Sequence, residues 1–204
     1  VGARRLDQAL EDLPEIQAEI HWRPYQLDPT IPAEGVDRRE YMRGKFGSEE
    51  RVRELHDKLI QSTLDAGIDF AMNRIEISPN TLDAHRLVRW AGGQGPQVQG
   101  AVVRRLFKAY FEEGRNIGDH AVLLEIAEEA GMDISIVSAL LPTDADRQEV
   151  RDEIAQAQRM GVTGVPCFLL ENKYAVMGAQ PVEALADAIR QVAEAKAARK
   201  LAAE

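Results

Sequence analysis

The sequence has 204 residues, 45% hydrophobic and 29% charged, with 9 prolines and 15 glycines. That is the profile of an ordinary globular chain, long enough to bury a core without disulfides or a structural metal. Its 34 acidic residues outnumber 25 basic ones, for a net charge of -9, which disfavours nucleic acid or an anionic membrane as the main partner.

Leu6, Leu10, Leu13 and Ile16 mark one face of a helix that starts at or before Val1. Ile20–Leu27, IHWRPYQL, is expected to be a strand, ended by Asp28, Pro29 and Pro32. A helical tract then runs from Asp37 to Met160. Its first helices are Asp37–Lys45 and Ser48–Ala66, the latter capped by Ser48 and closed by Gly67. Asn80 or Thr81 caps Asn80–Ala91, and Gly92, Gly93, Gly95 and Pro96 separate it from Gln97–Glu113, where Val102, Leu106, Ala109 and Tyr110 form the inward stripe. Asp119 caps Ala121–Ala130, Ile134–Leu140 comes next, and Thr143 opens a helix to Met160 with Val150, Ile154 and Ala157 inward. Val165–Leu170 reads as a buried strand joined to a second, Tyr174–Gly178, and a last helix runs from Pro181 through Val192 towards Arg199, with Leu185 and Ile189 facing the sheet.

The residues with most chemical content are GVTGVPCFLL, Gly161–Leu170. Proline supplies no amide donor and sits at the start or edge of a strand. Composition leaves two readings of Pro166: a trans proline that merely opens a strand, or a cis one that turns the Val165 backbone outward to receive an extended peptide. Cys167 is the only cysteine, so it cannot complete a two-thiol cycle. It is read as a buried structural thiol or as an accessory thiol. His21, His56, His85 and His120 have no metal-site spacing, and no metal or tightly bound cofactor is expected.

GVTGVPCFLL resembles the GVxGVP-F element of DsbA-like thioredoxin folds, and HWRPYQLDPTIP resembles the WRPFxLxP region of their FrnE-like branch. NTLDAHRLVRWA (80–91) and AVLLEIAEEAGMD (121–133) match as well. The resemblance implies an α/β thioredoxin-like fold with a large all-helical insertion: residues 1–35 and 146–204 build the thioredoxin-like part and 36–145 the insertion. VGARRLDQAL is similar to the stretch immediately after the branch's CPWC-type motif, so the first strand and the redox pair would precede Val1.

On that resemblance the expected activity is disulfide exchange with a thiol or disulfide-containing peptide or protein, or with glutathione. Val165 and Pro166 would hold the substrate, and Tyr25, Asn80, Thr81, His85 and Trp90 are further candidates to line its cleft. Asn80 and Thr81 also read simply as caps, and Tyr25, His85 and Trp90 as packed core. Two alternatives remain: a glutathione-dependent isomerase or transferase of the 2-hydroxychromene-2-carboxylate isomerase or kappa-class type, and a non-enzymatic peptide-binding chaperone. No apolar run approaches the roughly 20 residues of a membrane span. The lone cysteine and the lack of a secretory leader make a cytoplasmic location the expectation; a homodimer is compatible with the apolar helices.

Overall fold

The computed structural model describes residues 1–201, so 202–204, the end of the second thioredoxin-like segment expected from sequence, lie outside the described residues. The chain divides into two compact units: Val1–Glu19 with the chain from Gly161 onward, and Ile20–Met160. Sequence drew the divisions after residues 35 and 145. The larger unit takes in more chain at both ends, where Gln99 bonds the Trp22 main chain and Arg89 and Trp90 bond Asp146.

In the first unit, helix α1 (Gly2–Glu11) buries Gly2, Leu6 and Ala9, a spacing of four and three that puts them on one face. Helix α9 (Val182–Leu201) buries Leu185, Ala186 and Ile189 and packs against α1. Two strands, Cys167–Leu170 and Tyr174–Met177, pair antiparallel, with Cys167 opposite Met177 and Leu170 opposite Tyr174. The turn between them holds Glu171 and Asn172 at φ 50° and 53°, and the Lys173 amide donates to the Leu170 carbonyl over 3.0 Å. The strand expected from Val165 begins only at Cys167, and it is half-buried rather than buried, with Leu169 exposed. It pairs with one strand alone among the described residues, so its outer edge and part of one face stay open.

In the second unit, Ile20–Leu27 forms no strand. The Gln99 side chain takes the place of a neighbouring strand: its Oε1 accepts from the Trp22 amide (2.9 Å) and its Nε2 donates to the Trp22 carbonyl (3.1 Å). Both main-chain groups of Trp22 are thus satisfied without a ladder. A short antiparallel pair that sequence did not signal, β1 (Val36–Asp37) with β2 (Ile77–Ser78), brackets the first helices. In chain order the Cys167 and Tyr174 strands are then β3 and β4.

Helix α2 (Arg38–Phe46) is capped by Asp37 and α3 (Glu49–Gln61) by Ser48. The expected Ser48–Ala66 helix stops at Gln61. The Ser62 and Thr63 hydroxyls donate back to the Leu59 carbonyl (3.0 and 2.7 Å), competing with the main-chain ladder. A 3-10 turn, Leu64–Ala66, comes next and ends at Gly67 in the left-handed region. Helices α4 (Leu82–Gly92), α5 (Pro96–Phe111), α6 (His120–Glu129) and α7 (Ile134–Leu140) share one core in which Leu87, Ala91, Val102, Ala109, Leu123 and Ile126 lose all exposure. Helix α8 (Arg147–Arg159) adds Val150 and Ile154 against Leu82. It starts at Arg147 rather than Thr143, because Asp146 has φ 58° and the Thr143 and Ala145 carbonyls accept from Arg86 instead of from helix amides. Among the described residues no helix is long and apolar enough to cross a membrane.

Candidate functional site

The Val165–Pro166 peptide bond is cis. Val165 is 49% exposed, while the Pro166 carbonyl accepts from the Gly178 amide (2.8 Å) and extends the β3–β4 pairing by one step. The first turn of α1 lies directly against this proline. A Cβ at Gly2 would come within 2.6 Å of Pro166 Cγ and 3.3 Å of Phe168 Cζ, the first a separation that real side chains do not adopt. Gly2 is therefore required by close approach of a helix start to a proline edge. Arg5 Nη1 donates to the Ala179 carbonyl (2.7 Å) and ties the same helix to the chain after β4.

Pro166 and Phe168 face Gly2, and alternation along the strand sends Cys167 to the opposite face. Its thiol is free and half-buried. One sulfur can enter a mixed disulfide but cannot resolve it.

The other candidates lie in the helical unit. Asn80, not Thr81, caps α4: its Oδ1 accepts from the Leu82 amide (3.0 Å) and from Gln26 Nε2 (2.9 Å), and its Nδ2 donates to the Ile31 carbonyl (2.6 Å). Thr81 makes no side-chain capping bond, and its carbonyl accepts from the His85 amide. His85 and Tyr25 come together, the imidazole bonding to the Tyr25 main chain. Burial pushes the His85 pKa down to about 4, that bond opposing it. Trp90 is committed elsewhere, its indole N–H donating to Asp146 Oδ2 (2.8 Å) and its ring lying beneath the Arg86 guanidinium at 4.9 Å. Among the described residues no cluster of His, Cys, Asp and Glu is arranged to hold a metal ion.

Sequence reading passed over Gln99 and Arg86, and it placed Gly2 only by its register after the family's redox motif, not by its approach to Pro166. Arg86 is wholly buried and makes five hydrogen bonds, to the carbonyls of Leu140, Leu141, Thr143 and Ala145 and to Asp83. Asp83 in turn meets His120 (2.8 Å) and Arg147 (3.1 Å). Burial would raise its pKa, but the bonds from His120 and Arg86 hold it below the usual carboxylate range. A signal for Arg86 was present, an arginine in the middle of the apolar face of Asn80–Ala91, but not for its partners.

The model of the DSBA-like thioredoxin domain matches residues 1–190. The chain is similar to a probable DsbA oxidoreductase from Streptomyces coelicolor, with 30% identity and a TM-score of 0.84 over 94% of this chain and 82% of that one. It also resembles the structure of a 2-hydroxychromene-2-carboxylate isomerase, at 17% identity and a TM-score of 0.68 over 96% and 92% of the two chains. A putative protein disulfide isomerase from Nitrosomonas europaea aligns at 17% identity and a TM-score of 0.61, over 74% of this chain and 76% of that one. An uncharacterized protein of Bacillus subtilis, YwbO, is 24% identical over 176 residues, 83% of this chain and 79% of that protein. These matches establish the thioredoxin-like α/β core with an extensive helical insertion.

They also correct the cytoplasmic location. DsbA oxidoreductases, the kind of protein named in the Streptomyces coelicolor structure, are characteristically periplasmic or secreted. The cysteine count and the search for a leader were poor guides, because a sequence given from Val1 says nothing of what, if anything, precedes it.

Proposed function

The chain belongs to the DSBA-like thioredoxin domain family, and on that footing we propose that it serves thiol–disulfide exchange on a thiol or disulfide-bearing peptide or protein. The observation that carries the reading is the seating of the α1 start on the Val165–Pro166 edge, tight enough to exclude a Cβ at Gly2. Residues preceding Val1 would supply the CxxC pair. A thiolate there gains from the free amides and aligned dipole of the helix start, which lower its pKa from about 8.5.

In the reductive direction, that thiolate attacks one sulfur of the substrate disulfide, and the substrate's other sulfur leaves as a thiolate. The second enzyme cysteine, deprotonated, then attacks the mixed disulfide. The remaining substrate thiolate leaves and an enzyme disulfide forms, so two electrons pass to substrate. Oxidation of a dithiol substrate is the same path reversed. Val165, exposed beside the proline, would align an extended substrate as an added strand.

The test uses the full-length protein with the residues encoded ahead of Val1. Reduction of insulin disulfides should depend on two upstream cysteines, and Gly2→Val should lower turnover by about tenfold or more while far-UV circular dichroism stays native, because a displacement of about 1 Å in the reacting groups suffices for such a loss. Absence of reactive upstream thiols defeats the proposal. Saturable glutathione binding without dithiol turnover would favour the glutathione-dependent isomerase or transferase reading instead.

A further inference from the structure

Strand β4 (Tyr174–Met177) has β3 on one side and, among the described residues, no strand on the other. The Gly178 amide donates to the Pro166 carbonyl (2.8 Å), and from there the register runs unbroken to Leu170 opposite Tyr174. Main-chain groups alternate in direction along an antiparallel strand. Gly178, Val176 and Tyr174 therefore bond inward to β3, and the N–H and C=O of Ala175 and Met177 point outward. There the Met177 carbonyl is met by an exposed side chain, Gln180, whose Nε2 donates over 2.8 Å. β4 carries no charge, no proline and no bulge, so of the usual devices that blunt an edge it keeps only its short length. Tyr174 and Met177 are 41% and 39% exposed.

Helix α9 continues the same border. α1 meets Pro166 and Phe168 on the β3 side, whereas α9 packs against α1 and β4, so the flank of α9 away from α1 lies on the outer side of β4. Lys196 and Arg199 reach Glu171 and the Tyr174 hydroxyl at the turn (2.8 and 2.9 Å), while the helix starts at Val182, just beyond Met177. The middle of α9 is thus set over the middle of β4. Ala186 is buried, but Ala184, Ala188, Gln191, Ala195 and Ala198, at spacings of four and three, share a flank on which none is buried. The charges are polarised along the helix: Glu183, Asp187 and Glu194 come early and Lys196, Arg199 and Lys200 late, with Arg190 between them tied to Asp187.

We propose that this border is an interface with a second copy of the chain, β4 pairing antiparallel with the partner's β4 about a two-fold axis at Val176. Ala175 then faces the partner's Met177, and each such pair exchanges both of its main-chain bonds, four in all. The Met177 carbonyl has two lone pairs, so the Gln180 bond does not bar a second. Neighbouring registers are poorer: centring on Ala175 calls on the Lys173 amide, which donates to Leu170 (3.0 Å), and centring on Met177 calls on the Ala179 carbonyl, which accepts from Arg5 (2.7 Å). The same axis lays α9 antiparallel to its copy. Small side chains on the open flank let the two helices approach closely, and the acidic start of each meets the basic end of the other, a complementarity that favours a second copy over an unrelated strand. The interface uses only the smaller unit and does not depend on the thiol chemistry proposed above.

The experiment is analytical sedimentation of the full protein, with NMR amide exchange beside it. A mass twice that of one chain is expected, with the Ala175 and Met177 amides gaining protection as concentration rises. Ala175→Pro removes an outward donor while sparing the bonds to β3, and should weaken self-association by about tenfold or more. Ala188→Glu puts a long charged side chain in the middle of the α9 flank and should weaken it as much in a protein of native circular dichroism, whereas Ala197→Glu, outside that flank, should not. A monomer at about 100 µM, a dimer that survives either Ala175→Pro or Ala188→Glu, or an Ala197→Glu variant as weakened as Ala188→Glu would overturn the proposal. A monomer whose Ala175 and Met177 amides gain protection only when an unfolded peptide is added would also overturn it, and would give the edge to a peptide instead.

Discussion

Replacing Arg86 by methionine keeps most of the side chain's apolar stem and removes its guanidinium. The wild-type group donates to Leu140 and Leu141 at the end of α7, to Thr143 and Ala145 in the loop beyond it, and to Asp83, over 2.6 to 3.1 Å. Four carbonyls would lose a donor at once, although Leu140 keeps the Thr143 amide and hydroxyl and Thr143 keeps Arg147 Nε. Some recover water as the loop relaxes, so the individual costs of about 1–3 kcal/mol do not add. Asp83 keeps His120 and Arg147, which removes the worst case of an unpaired buried carboxylate. The net loss should be about 3–5 kcal/mol, the lost charge-assisted bonds and the carbonyls left without a donor taken together and discounted for relaxation. Against a total stability of about 5–15 kcal/mol this is severe, and it corresponds to a fall in Tm of roughly 6–20 °C. Urea unfolding followed by far-UV circular dichroism measures it. Arg86→Lys should be nearly as damaging, because a point-like ammonium cannot reproduce the planar fork that reaches separated carbonyls. A loss under about 1 kcal/mol in the methionine variant would show that the 140–145 loop is held by something other than Arg86.

Two further outcomes are expected. His85 has a folded pKa of about 4 against an ordinary 6.5, so protons bind the unfolded chain more readily; stability is full above pH 6.5 and falls as pH drops towards 4, by up to about 3 kcal/mol. Asp83 and Asp146 are held below the ordinary carboxylate value of 3.8, so their own losses come at lower pH. His85→Gln should flatten the decline between pH 6.5 and 4 in urea titrations, and an imidazole that titrates near 6.5 by NMR would refute the assignment. Asn80→Ala removes the α4 cap together with the bonds to Gln26 and Ile31 and should cost about 1–3 kcal/mol in urea midpoint measurements. Asn80→Asp retains the acceptor and should cost less; equal losses would show that the cap is not what Asn80 contributes.

Local rules made much of this protein legible. Ser48 and Asp119 cap the helices they were expected to cap, because an N-cap is decided by a side chain and an amide two or three residues away. The stripes Val102, Leu106 and Ala109, Val150 and Ile154, and Leu185 and Ile189 are all buried, since a helix's period of 3.6 residues selects its inward face without reference to a partner. The hairpin between β3 and β4 was readable from two short apolar runs and three polar residues between them. The same reasoning failed at Ile20–Leu27, where β-rich composition promised a ladder but Gln99, 77 positions away from Trp22, satisfies it with a side-chain amide.

The residue order was thus enough to give the kind of each long element, the faces that would be apolar, and the proline tract at residues 161–170. It took the folded arrangement to show that a helix start with no room for a Cβ at Gly2 sits on Pro166, that Arg86 holds the end of α7 and delays the start of α8, and that among the described residues the outer edge of β4 has no neighbouring strand. The physical reason is range. Periodicity and capping are set by neighbours within a turn or two, whereas a close approach, a buried guanidinium's choice of carbonyls and an uncovered strand edge depend on which distant residues the folded chain brings near.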